Sequence, residues 1–227
     1  MNTLARLFTQ KPLWALLVLS ITFSCCMLAV RMAYIRELDY IFLVWNLFLA
    51  AIPLFISNLL AQRHLNISAF SKFLLAAIWL LFFPNSPYII TDFVHLNWLG
   101  LHTPVPYWYD ILMLMLFATN GLVMGLLSLN IMQSIMEHYF SPLVVKFTVL
   151  SCLFLGSFGI YLGRVLRWNS WDILTNPFSL LYDILHHIRH PFLHFQAWAM
   201  TVCFTAFLLL AYLTVYFLKQ HKSMINS

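Results

Sequence analysis

Charged side chains are scarce in this sequence: Asp, Glu, Lys and Arg make up 8% of its 227 residues, against about 25% in an average soluble domain. A chain so poor in charge cannot cover a water-facing surface, which excludes an ordinary soluble globule. Glycine is thin too, at six residues, and none of them forms a phosphate-cradling loop or a dinucleotide fingerprint. A nucleophile elbow, a His-Glu-x-x-His zinc motif and nucleic-acid modules are likewise missing. Coupling to a nucleotide within this chain is therefore not expected. The net charge of +5 comes from scattered basic residues flanking apolar runs, which reads as a topology signal and not as a nucleic-acid face. Four cysteines, Cys25, Cys26, Cys152 and Cys203, lie inside apolar runs without disulfide or metal spacing and read as small core residues. Thr22 and Phe23 make Ser24-Cys25 a poor lipoprotein cleavage site, and the first apolar run continues past it, so a retained anchor is expected. There is no internal repeat, low-complexity tract or heptad seam. The longest stretch between apolar runs, about 25 residues, is too short to fold alone, so a single membrane domain over residues 1–227 is expected.

What the chain does have is hydrophobicity, 63% of residues, gathered into runs of roughly 20, the length that crosses a bilayer as a helix. The expected fold is all-α: a polytopic transmembrane helix bundle of about six spans plus an interfacial amphipathic helix. The spans are expected at about 13–33, 40–60, 73–92, 108–133, 144–164 and 195–218, and the interfacial helix at about 177–190. In that surface helix Leu180, Leu181, Ile184, Leu185 and Ile188 share one face, with Asn176 as the expected cap and Pro177 at the first position. Pro53 predicts a kink in the second span. Ala118, Gly121, Gly125 and Ser128 in the fourth span, and Cys152, Gly156, Gly159 and Gly163 in the fifth, are small-residue stripes. They predict that these two helices touch.

Six spans put both termini on one side. With that side cytoplasmic, seven basic residues fall inside (Arg6, Lys11, Arg63, Lys72, Lys146, Lys219, Lys222) and five outside (Arg31, Arg36, Arg164, Arg167, Arg189), as the charge bias of membrane proteins favours. The uncharged loop with His102 lies outside, and His64 inside.

The most informative stretch is Phe83-Pro-Asn-Ser-Pro-Tyr-Ile-Ile-Thr-Asp-Phe-Val-His-Leu96. Pro84 and Pro87 remove backbone donors one turn apart and predict a broken or loosened outer third of the third span. Asn85 and Ser86 are placed to satisfy the freed groups. On a helix, Asn85, Tyr88, Asp92 and His95 form one polar stripe. Hydrocarbon cannot solvate it, so it must face protein or a cavity.

That stretch, the second block Gly163-Arg-Val-Leu-Arg-Trp-Asn-Ser-Trp-Asp172 and the Trp108-Tyr-Asp110 step resemble the signature blocks of a bacterial membrane family catalogued as domain of unknown function 1361. The resemblance covers most of the chain and implies a multi-span protein of the bacterial cytoplasmic membrane. It implies no reaction. Ser86 stands where the family pattern suggests a small apolar residue, a departure expected to matter little.

Asp92, His95, Asp110, Arg164, Arg167 and Asp172 fall at the expected outer mouths of the third to fifth spans. Three readings are open: helix-end ion pairs, an anion or lipid-headgroup site with Arg164 and Arg167 as the fork, or a divalent-metal site built on Asp92 and His95. As an enzyme, Asp92 would orient His95 as acid/base, with Asp110 alongside. Asn85, Tyr88, Trp168, Asn169 and Asp172 would join the arginines in binding substrate. A second set of metal candidates, Asp183, His187 and His190, shares a face of the surface helix, with His194 near; a merely hydrated face is the plainer alternative.

Three functions follow. One is an envelope enzyme acting on a lipid or lipid-linked substrate. The second is a transporter or channel-like protein using the broken third span, and the third an accessory membrane subunit. Polar residues of the inner half are confined to Asn46, Asn120 and Asn130, which favours a one-sided site over a through-path. The partners expected are membrane lipid and an anionic headgroup, not nucleic acid. A divalent metal is the sole cofactor with any support.

Overall fold

The computed structural model describes residues 11–62, 68–96 and 104–225, and among them every regular element is helical. Six helices are long and apolar enough to cross a membrane: Pro12–Ile35, Phe42–Ala61, Ala69–His95, Tyr107–Met136, Pro142–Arg164 and Phe195–Leu218. This is the all-α, multi-pass architecture that the apolar runs predict. Arg6, Arg63, His64 and His102 lie outside the described residues.

Boundaries shift where local chemistry overrides apolarity. The third span begins at Ala69 because the Ser68 hydroxyl caps it, accepting the Ser71 amide at 3.1 Å. Pro142 starts the fifth span at its first position. The second span starts at Phe42, two residues later than expected, because Tyr40 is held in the left-handed region at φ 64°. That conformation costs a bulky residue roughly 1–2 kcal/mol.

The chain forms two compact units, Met1–His138 and Tyr139–Ser227. The first contains α1 (Lys11–Ile35), α2 (Phe42–Ala61), α3 (Ala69–Phe82), the short α4 (Asn85–Tyr88), a 3-10 segment (Ile89–His95) and α5 (Tyr107–Met136). Helices α2 and α5 pack along each other. Helix α1 lies on α5, α3 lies on α2, and α4 with the 3-10 segment touches both α2 and α5. Leu43, Ala50, Ile89, Met113, Leu114 and Phe117 form the innermost core. Large apolar residues point outward on the long helices, among them Leu16, Phe23, Phe55 and Phe73. In water that would be a liability, and in hydrocarbon it is the required surface.

The break falls in the third span at its prolines. Helix α3 ends at Phe82, and the Phe83 carbonyl, which Pro87 cannot serve, accepts the Ser86 amide at 3.2 Å. The tighter i, i+3 pattern then continues as the 3-10 segment. Asn85 donates to the Phe82 carbonyl at 2.9 Å. Ser86 reaches another helix instead, donating to the Ala50 carbonyl of α2 at 2.8 Å. This buried hydroxyl therefore has a definite task, contrary to the expectation that its departure matters little.

Ser86 also explains the small-residue stripe of α5. A Cβ on Gly121 would lie 2.4 Å from the Ser86 carbonyl oxygen, and one on Gly125 would lie 2.9 Å from Ser86 Cβ. One level further, Trp79 Nε1 of α3 donates to Ser128 Oγ at 2.7 Å. The third span therefore packs into this stripe of α5.

The second unit contains α6 (Pro142–Arg164), the short α7 (Asp172–Thr175), α8 (Pro177–Arg189) and α9 (Phe195–Ile225). Helix α6 packs along α9 over a core of Phe158, Tyr161 and Ala197, with Trp198 stacked on Phe158 at 5.5 Å. Helix α8 is the amphipathic element. Phe178, Leu181, Leu185 and Ile188 are exposed, whereas Ile184 packs on that core. Asn176 and Pro177 occupy the expected positions, but the Asn176 side chain makes no capping bond.

Candidate functional site

One end of the first unit, where α1 finishes, α2 begins, the 3-10 segment closes and α5 starts, gathers ionisable groups. Arg31, one turn before the end of α1, is 1% exposed. Its Nε donates to Asp110 Oδ1 at 2.7 Å and its Nη2 to Asp110 Oδ2 at 3.2 Å. The Tyr40 ring covers the guanidinium at 4.5 Å. Nη1 makes no hydrogen bond, and lies 3.9 Å from Asp39. A two-pronged pair is the arrangement a low-dielectric site requires, because each charge there is costly without its counterpart. The same need holds Tyr40 in its left-handed turn, where its hydroxyl also reaches the His95 carbonyl at 3.4 Å.

In the 3-10 segment, Asp92 is 1% exposed and accepts from Asn46 Nδ2 of α2 at 2.9 Å. With three residues per 3-10 turn, Ile89, Asp92 and His95 stack on one face. The His95 ring lies 4.8 Å from the Phe42 ring. A buried carboxylate with an imidazole one turn away is an arrangement able to accept, hold and return a proton.

Asp92, His95 and Asp110 do come to one end of one unit. Asp110, however, is engaged by Arg31, which sequence reading took for a flanking topology charge. Asn46, assigned to the inner half, is instead the donor that holds Asp92. Asn85 of α4 reaches back to the Phe82 carbonyl at the end of α3, and Tyr88 ends α4 half-buried. Asn120 donates to Ser24 of α1 at 2.8 Å and Asn130 to the Leu126 carbonyl at 2.9 Å, the ties expected of polar residues inside a helix bundle. A signal for Arg31 was present: an arginine four residues inside the end of an apolar helix needs an acidic neighbour.

In the second unit, Arg164 ends α6 and Arg167 is exposed with φ 61°. Trp168 Nε1 donates to Asp183 Oδ2 at 2.8 Å. Asp172 closes a local turn, accepting from the Asn169 amide at 2.7 Å and from Thr175 Oγ1 at 3.0 Å. The Asn169 backbone bond, ahead of the side-chain bonds, holds the Asp172 carboxyl below its ordinary value. Asp172 thus shapes the turn after α6, and Asp183 anchors Trp168.

The histidines regroup as well. His186, His187 and His194 bring one ring nitrogen each within 4.8 Å of one another. His190, a candidate by its helical spacing, is exposed, with its ring 5.0 Å from that of His186. The turn through Pro191 carries His194 back over the helix, a fold-back that helical periodicity cannot report.

The family described as "Protein of unknown function (DUF1361)" matches residues 45–211. The chain belongs to this family. Asp92, Asp110 and the histidines of α8 fall within the matched segment, whereas Arg31 precedes it. No curated protein and no solved structure matches the chain.

Proposed function

We propose that this protein is an envelope enzyme of the bacterial cytoplasmic membrane, acting on a lipid or lipid-linked substrate. Both termini are cytoplasmic in this reading, the whole chain serves as one membrane domain, and the polar end of the first unit opens on the outer face. The observation that carries it is Asp92, an almost fully buried carboxylate with His95 one 3-10 turn away. Ionisable groups at membrane depth are expensive and mark functional positions by default. His95 is the acid/base and Asp92 its orienting carboxylate. Asp110 serves through Arg31, fixing the ends of α1 and α5 around them. Arg164, Arg167 and Trp168 seat the second unit on anionic headgroups.

The test compares the lipids of cells producing the wild type, His95→Ala or Asp92→Asn by mass spectrometry, with insertion and melting of each protein verified. Wild-type cells should show a lipid species altered in amount that both variants leave unchanged. Identical profiles in all three would sink the enzymatic reading. A second reading, a transporter, draws on the break of the third span at Pro84. It would show as solute uptake into proteoliposomes that the double variant Pro84→Ala/Pro87→Ala, which returns both missing backbone donors, abolishes.

A further inference from the structure

The last turn of α8 and the fold-back after it assemble a cluster that the first unit's site does not involve. Helix α8 ends at Arg189, and the Leu193 and His194 amides both return to the His190 carbonyl, at 3.1 and 3.2 Å. This closes the turn over Pro191 and brings His194 Nε2 to 2.8 Å from His186 Nδ1. The His187 and His194 rings stack with centroids 3.8 Å apart.

His187 is 5% exposed, and its Nδ1 lies 2.7 Å from the Asp183 carbonyl oxygen. A carbonyl only accepts, so Nδ1 carries the proton and Nε2 presents its lone pair. Metal-ligating histidines are commonly oriented this way, donating the other ring N–H to a carbonyl. Asp183 is fixed in turn by Trp168. The Tyr161 hydroxyl, 3.1 Å from His187 Nε2, donates to that lone pair, so a metal would take the place of this hydrogen bond.

We propose that His186 Nδ1, His187 Nε2 and His194 Nε2 form a binding site for a divalent transition metal, zinc by preference, with a fourth position left to water. Three imidazoles suit Zn²⁺, Ni²⁺ or Cu²⁺ and not Mg²⁺ or Ca²⁺, which take oxygen donors. A tetrahedral zinc with bonds of about 2.0–2.1 Å sets its ligand nitrogens about 3.3 Å apart. The His186–His194 contact would need to open by about half an ångström to reach that, and the wider separations, up to 4.8 Å, to close. The carbonyl-rich C-terminus of α8 adds a field that favours a cation. The inference rests on the second unit alone and stands whether or not the first unit is an enzyme.

The experiment uses the full chain in detergent micelles, carrying no polyhistidine tag and stripped of metal by chelator. Zinc is titrated in competition with a chromophoric chelator, and cobalt is added separately for its visible spectrum. The wild type should bind one zinc per chain, and cobalt should give the intense absorption of a tetrahedral site. His186→Ala and His194→Ala should each weaken zinc by more than the roughly 10- to 100-fold lost when a ligand's supporting hydrogen bond is removed. His138→Ala, outside the cluster, should bind as the wild type does. Absence of stoichiometric zinc in the folded wild type overturns the proposal, as does binding that survives both substitutions unchanged. Should a variant misfold, the cobalt spectrum of the wild type decides alone: octahedral, weakly coloured cobalt overturns the site.

Discussion

Replacing Arg31 tests the central electrostatic argument most directly. Its pair with Asp110 has two bonds, 2.7 and 3.2 Å, between side chains 0% and 6% exposed. Hydrogen bonds to charged groups contribute about 1.5–3 kcal/mol each, and removing one member of a buried pair costs about 3–5 kcal/mol because the other charge is left stranded. Arg31→Met alone and Asp110→Leu alone should therefore each lose about 3–5 kcal/mol. The double variant strands nothing in the pair, and Asp39, whose side chain is 31% exposed, can turn to water. It should fall within about 1–2 kcal/mol of the wild type, since apolar replacement of a whole buried pair is often neutral. The coupling energy is then about 4 kcal/mol or more, roughly a thousandfold in the unfolding constant. Reversible unfolding in mixed micelles measures all four proteins. Single losses under about 1 kcal/mol, or a double loss equal to the sum of the singles, would refute the claim of a desolvated pair. If the lipid phenotype of His95→Ala also appears in the fully stable double variant, the pair positions the site as well as the helices.

Three further outcomes follow from the geometry. Gly121→Ala drives a methyl to 2.4 Å from a backbone oxygen, whereas Gly125→Ala meets Ser86 Cβ at 2.9 Å. Melting should show a loss of about 1–3 kcal/mol for the first and less for the second, and the reverse order would contradict the α4–α5 contact. Asn46→Leu removes the amide that holds a buried carboxylate at 2.9 Å and should cost about 1.5–3 kcal/mol by micelle unfolding; no loss would show Asp92 needs no such donor. His194, with its pKa lowered, resists protonation in the folded state while the unfolded chain accepts a proton near pH 6.5. Stability of the second unit should therefore fall as pH drops from about 6.5 through the folded value. Hydrogen exchange in α8 reads this, and His194→Asn should flatten the slope.

The sequence by itself determined the class, the six spans, the amphipathic α8 and the place where the third span breaks. These follow from local properties: run length, charge placement, and prolines that cannot donate. It also picked out Asp92 and His95, since a carboxylate and an imidazole in an apolar run stand out without neighbours. Only the tertiary structure decided what meets what. Arg31 and Asp110 lie 79 residues apart and Asn46 and Asp92 lie 46 apart, and no periodicity within one helix reports such a pairing. Their partners are chosen by which helix ends pack together, because a charge in hydrocarbon binds whatever opposite group the fold brings within reach. The same holds at Pro191, where a turn, not a helical repeat, puts His194 over His186 and His187.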